Sequence, residues 1–248
     1  MKIILSPAKK MSVDVDTLEP IGLPIYLEDT QRLLDWLKGK SYDELKSLWK
    51  CNDKIAEENF KRIECLDLNE NLTPAVLSYE GIAFQYMAPA VFEYEQFDYI
   101  QEHLRIISGF YGVLKAMDGV VPYRLEMQAK LQIDKYRNLY DFWGKKIYNA
   151  VCDDSGIIIN LASKEYSKCV EKYLADDDTY ITCVFADEVN GKLVQKGTYA
   201  KMARGEMVRF MAENKIENPV DLKNFDRLNY KYQKYISSDN EYIFIRQR

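Results

Sequence analysis

Apolar residues along this chain follow two rhythms, short unbroken runs and stretches spaced three to four residues apart. Unbroken runs bounded by turn formers predict strands buried on both faces. Residues 2–6 (Lys-Ile-Ile-Leu-Ser) form one, cut by Pro7, which cannot extend a ladder. Gly156 to Leu161 form the clearest, and Asn160 at its end requires a hydrogen-bond partner. Ala75 to Tyr79, Leu131 to Ile133 and Tyr242 to Ile245 also read as strand-like. The helical rhythm predicts a helix up to Lys38, with Leu33, Leu34 and Leu37 on one face and Gly39 as its stop. Ser41-Tyr42-Asp43-Glu44 is a capping-box signature opening a second helix, with Leu45, Leu48 and Trp49 inward. A third runs from Asp53 to Ile63, and others are expected at Gln96–His103, Leu139–Val151, from Ala162 and at Thr198–Asn214. Gly205 inside the last of these costs about 1 kcal/mol against alanine, which predicts close packing there. Tyr180 to Val189 and Lys192 to Lys196 flank Asn190-Gly191, which predicts a hairpin with a type I′ turn. No repeat, low-complexity tract or linker interrupts the chain. The expected architecture is α+β, a single mixed domain over residues 1–248 with a central sheet flanked by helices.

Composition narrows the function. A net charge of -5 and a pI near 5.2 exclude a basic nucleic-acid coat protein, so binding to a polyanion needs a local patch. The charge is uneven: Met11 to Glu70 hold 8 basic and 14 acidic residues, whereas Lys196 to Lys215 hold 5 basic and 2 acidic. Five scattered cysteines with no Cys-x-x-Cys pair suit reduced thiols in a cytoplasm. One histidine, His103, excludes two-histidine metal sites, and on a charged helix it reads as a surface residue. No metal and no cofactor are expected. No apolar run reaches the roughly 20 residues of a membrane span.

The chemistry that remains is basic residues beside turns. Ser6 to Lys10 leave the first strand at its carboxyl end, where open α/β sheets place ligand loops. His103 to Met127 combine apolar anchors, a Gly109-Phe110-Tyr111-Gly112 turn, and Arg105, Lys115 and Arg124, which suits backbone brought close to an anion. Lys201, Arg204 and Arg209 lie among the core positions of the last long helix. Arginine suits phosphate because its fork binds two oxygens at once. Lys9, Arg105, Gly109, Gly112, Lys115, Arg124, Lys201, Arg204 and Arg209 are therefore the candidate phosphate or nucleic-acid contacts. Glu126 and Tyr123 are the candidate proton-transfer groups. A surface turn accounts equally for Ser6 to Lys10, a buried turn for the two glycines, and an ion pair for Arg124 with Glu126.

Ile4-Leu5-Ser6-Pro7-Ala8-Lys9, Leu104-Arg105 with Ser108 to Leu114, and Pro122 to Met127 together resemble the YaaA family of peroxide stress proteins. Leu139 to Gly144, Asn160 to Ser163 with Glu165-Tyr166, and Lys201 with Arg204-Gly205, Met207 and Arg209-Phe210 complete the match, in order and over nearly the whole chain. The resemblance implies a cytoplasmic protein that limits peroxide damage, linked to lowering free iron. It also implies DNA binding through a helix-hairpin-helix-like element, which falls on His103 to Asp118. Gly-x-x-Gly is one residue longer there than the common Gly-apolar-Gly, and Lys115-Ala116 stands in place of Arg-Pro. Without histidine pairs or clustered cysteines, an effect on iron is indirect. Three readings stay open: backbone contacts to double-stranded DNA, an enzyme acting on a nucleotide or nucleic acid, and a scaffold holding an internal ion-pair network.

Overall fold

The computed structural model describes residues 1–247. β1 (Lys2–Leu5) leads through a long connection to α1 (Leu27–Lys38), α2 (Tyr42–Trp49) and α3 (Asp53–Cys65). The capping box forms: Glu44 accepts the Ser41 N–H at 2.8 Å, and the Ser41 hydroxyl accepts the Glu44 N–H. After β2 (Thr73–Pro74) come α4 (Ala75–Ser78), α5 (Ile82–Met87) and α6 (Tyr94–His103). β3 (Leu104–Ser108), β4 (Gly112–Lys115) and β5 (Gly119–Val120) follow, then α7 (Leu139–Trp143), α8 (Lys146–Val151) and β6 (Ile157–Asn160). The last third holds α9 (Lys164–Glu171), β7 (Thr179–Val189), β8 (Lys192–Val194), α10 (Gly197–Glu213), β9 (Tyr230–Tyr232) and β10 (Glu241–Arg246).

The unbroken apolar runs become the middle of one eight-stranded sheet, ordered β4-β3-β1-β6-β7-β10-β9, with β8 paired to β7. β3, β1, β6, β7 and β10 run parallel, and β4, β8 and β9 are antiparallel. All five parallel strands thus end at one edge of the sheet, and a crevice at that edge is the usual ligand position. Asn160, at the end of β6, is satisfied there: its amide nitrogen donates to Thr182 Oγ1 at 3.2 Å, and its oxygen accepts the Ala162 N–H at 2.9 Å. Asn190 and Gly191 take φ of 52° and 72°, as a type I′ turn requires. Among the described residues no helix is long and apolar enough to cross a membrane.

Several expectations need correction. Residues 103–118 contain no helix-hairpin-helix; β3 and β4 pair antiparallel from Arg105–Lys115 to Ser108–Gly112. The β-branched pair Ile106-Ile107 favours a strand, and Ser108 Oγ closes the turn by accepting the N–H groups of Phe110 (3.1 Å) and Tyr111 (2.9 Å). The two glycines serve packing. A Cβ on Gly109 would lie 2.5 Å from the Leu125 carbonyl oxygen, and Gly112 has φ +74° under the Trp143 ring. His103 is half-buried rather than a surface residue, its Nδ1 lying 2.8 Å from the Met1 carbonyl oxygen. Ala75 to Ser78 form a helical turn, because the ladder stops at Pro74, where the Ala75 and Val76 amides bond to Asp118 and Ala116. Residues 131–133 form no strand, only an isolated bridge from Ile133 to Tyr136. The helix expected over 139–151 breaks at Gly144, whose φ is +49°.

Gly205 is where α10 touches α5 backbone to backbone: a Cβ there would lie 1.9 Å from the Ala83 carbonyl oxygen. Backbone cannot yield as a side-chain tip can, so Gly205→Ala should destabilise the protein by about 3 kcal/mol, read as a large fall in the urea midpoint. Asp118 is buried and closes the turn after β4, its Oδ2 accepting the Lys115 N–H at 2.8 Å. Burial pushes its carboxyl up to about 6, against the opposing pull of the Lys115 amide and of the Lys115 and Arg105 charges. A carboxyl whose pKa is raised on folding is destabilising once ionised, so its cost grows as pH rises through about 4 to 6. Asp118→Asn keeps an acceptor without the charge. It should add about 2 kcal/mol at about pH 8 and nothing below about pH 4, by urea titration at the two pH values.

Candidate functional site

The carboxyl ends of β1 and β6 open onto a cleft of about 390 Å³. One wall is the exit of β1, Ser6 to Lys10, pinned to the start of α9 because Ser6 Oγ accepts the Ser163 N–H at 2.8 Å. Against it lies the start of α5, where a Cβ on Gly81 would be 2.6 Å from the Ala8 Cβ. A third wall is Tyr123 to Glu126, and the fourth is α10 through Lys201 and Arg204, one turn apart on one face. The Gly205 contact with α5 holds that face close in.

The charges of the cleft are only partly matched. Lys9 Nζ lies 2.8 Å from Glu126 Oε1, and Arg124 Nη2 is 3.7 Å from the same oxygen. Lys10 pairs with Glu80. The Nε atoms of Arg124 and Arg204 are both buried without a hydrogen-bond partner, and Arg204 has no ion pair among the described residues. Burial lowers the pKa of Arg204. A desolvated guanidinium with an unmet donor is costly unless an anion supplies the missing acceptor.

Acidic and phenolic groups complete the lining. Burial raises the Glu165 carboxyl, the Gln128 N–H opposes the rise, the nearby Glu126 adds to it, and Lys9 offsets it. Glu165 Oε1 accepts that N–H at 3.2 Å. Tyr123 lies at the floor, with its hydroxyl 2.6 Å from Ser108 Oγ and 2.8 Å from the Tyr79 hydroxyl. Burial pushes it up to about 12. Tyr166, beside it in the lining, is raised by burial and by Tyr123.

Lys9, Arg124, Lys201 and Arg204 thus meet in one cleft with Glu126 and Tyr123. Arg105, Gly109, Gly112, Lys115 and Arg209 do not join them. Arg105 is 7% exposed and donates to the carbonyls of Gln101 (3.2 Å) and Leu104 (2.8 Å), and Lys115 sits opposite it in the ladder. Gly109 is inside the hairpin, its carbonyl accepting the Trp143 indole N–H at 3.0 Å, and Gly112 packs on the same ring. Arg209 pairs with Glu213 at 2.7 Å on α10. Ser163, Glu165 and Tyr166 are lining residues with no chemical role in the sequence reading, and Ser6 entered it only as the start of a ligand loop. Their signal was position, since Ser6 and Ser163 each follow the carboxyl end of a buried strand.

The model of the family described as "Peroxide stress protein YaaA" matches residues 1–235. A protein of Agathobacter rectalis named "UPF0246 protein" is 65% identical over 247 residues, covering 100% of this chain and 99% of its own. Proteins of the same name from Pediococcus pentosaceus and Lachnoclostridium phytofermentans are 54% and 51% identical over 246 residues. Each covers 99% of this chain, with 98% and 96% of their own lengths matched.

Arg204→Met keeps most of the side-chain volume and removes the desolvated charge. The ligand-free variant should melt higher, by on the order of 1 kcal/mol in stability. A lower melting temperature would make Arg204 a structural residue.

Proposed function

The chain belongs to the family of peroxide stress protein YaaA, and on that premise we propose that its cleft binds a phosphate-bearing ligand of nucleotide size in the cytoplasm, as part of resistance to peroxide. The observation that carries this is the pair of buried, unpartnered Nε atoms on Arg124 and Arg204 within one cleft that also holds Lys9 and Lys201. A guanidinium fork that lacks an acceptor suits phosphate oxygens, and two such forks from different elements suit a clamp. A cavity of about 390 Å³ takes a small molecule and not a duplex. An effect on free iron is then downstream of the bound ligand. Turnover, if the ligand is a substrate, falls to Glu126, the candidate base, rather than to Tyr123, whose hydroxyl is engaged by Ser108 and Tyr79.

A second reading, backbone contact with double-stranded DNA, is supported by a groove of about 1210 Å³ next along the chain, which Met127 to Gln132 line together with Lys50. Lys50 and Lys130 there make no ion pair among the described residues, so they are available to phosphates.

Calorimetric titration with nucleoside monophosphates, inorganic phosphate and a short duplex separates the readings. The nucleotide should bind, and Arg204→Ala should weaken it at least about tenfold, the 1.4 kcal/mol of one lost charged hydrogen bond. Normal nucleotide binding by that variant, or none by the wild type, ends the cleft reading. Duplex binding that falls with salt and with Lys130→Ala, yet ignores Arg204→Ala, selects the DNA reading.

A further inference from the structure

The cleft contains its own anion in the place where a ligand's anion would go. Glu126 Oε1 holds Lys9 at 2.8 Å and lies 3.7 Å from Arg124. Its side chain is only 21% exposed, whereas that of Lys9 is 64% exposed on the loop leaving β1. An exposed four-carbon stem reorients at little cost, and a half-buried carboxylate does not. Glu165 lines the same cleft without an ion pair among the described residues.

We propose that Lys9 passes from Glu126 to the ligand's anion on binding, and that Glu165 then takes up a proton from solvent. This rests on the cleft being an anion site, as argued above. Lys9 is the charge that offsets both burial and Glu126 at Glu165. Once a phosphate engages it, Glu165 lines the cleft beside an added anion with less compensation, which favours its protonated form. The other groups around the pair do not replace Lys9. Arg124 reaches Glu126 from two residues earlier on the same irregular segment. Glu165 meets the Gln128 N–H, while Tyr140, which donates to the Glu165 carbonyl oxygen at 2.9 Å, Tyr166 and the Cys169 thiol are neutral neighbours. Lys10 is held by Glu80, and Lys201 and Arg204 belong to the opposite wall with the ligand. The result is a cleft that admits an anion and acquires a carboxylic acid beside it in the same step, a donor placed next to the bound oxygens.

Sulfate is the probe, because it has no protonation of its own near neutrality. Titrating it calorimetrically in two buffers of different ionisation heat counts protons taken up on binding. Wild type should take up close to one, and should bind more tightly as pH falls. Glu126→Gln should bind sulfate several-fold more tightly, since the internal competitor is gone. Glu165→Gln should abolish uptake with a smaller gain in affinity. Wild-type binding combined with equal or weaker binding by Glu126→Gln, or with uptake that survives in Glu165→Gln, overturns the exchange and leaves the anion site standing. If sulfate binds to no variant at any pH, both readings fall together. Unchanged circular dichroism in the two variants keeps a folding defect from imitating either result.

Discussion

The contact between α10 and α5 at Gly205 and Ala83 is the constraint on which the cationic wall depends. Two helices meet backbone to backbone only where a side chain is missing. That proximity carries Lys201, one turn earlier on α10, and Arg204, next to the glycine, over the carboxyl edge of the parallel strands. The Ser6–Ser163 hydrogen bond on the opposite wall does the complementary work, tying the exit of β1 to the start of α9. The cleft has walls from four distant parts of the chain and a width that none of them sets alone.

Such a site carries a thermodynamic cost. The fold leaves two guanidinium donors unmet and a carboxyl raised by burial within one small volume. Elsewhere the same chain satisfies its polar groups closely, as at Asn160 and at the Ser41–Glu44 box. Of the three buried side-chain donors without a partner among the described residues, Trp49 Nε1 lies on α2 and the two charged ones share this crevice, the pattern of a surface shaped by what it receives rather than by folding stability.

Much of this was legible from the sequence because it is local. The capping box, the Asn190-Gly191 turn, the buried Ile157–Asn160 strand and the packing need of Gly205 are each set by neighbours in the chain. Lys9, Arg124 and Arg204 stand as separate candidates along the chain, and only the sheet order brings them to one cleft. The glycine turn at Gly109 keeps two readings in the sequence for a reason of the same kind. A glycine that admits a ligand and a glycine that admits the chain's own Leu125 carbonyl look alike until the tertiary neighbour is known. Arg105 and Lys115 fell with it, since their nearness in sequence to the turn placed them on β3 and β4 and away from the cleft. Glu165 went unassigned because a charged residue in a first helical turn is ordinarily a solvated one.

β1 is made first and lies between two strands made much later. Its Ile3 is aligned with Leu104 on one side and Ile159 on the other. During synthesis from the ribosome this largely apolar strand therefore waits with both hydrogen-bonding edges open until β3 has emerged, and with one edge open until β6 has, past the middle of the chain. Folding of the sheet is a late, non-local event, slow in the way that parallel pairing over long loops is slow.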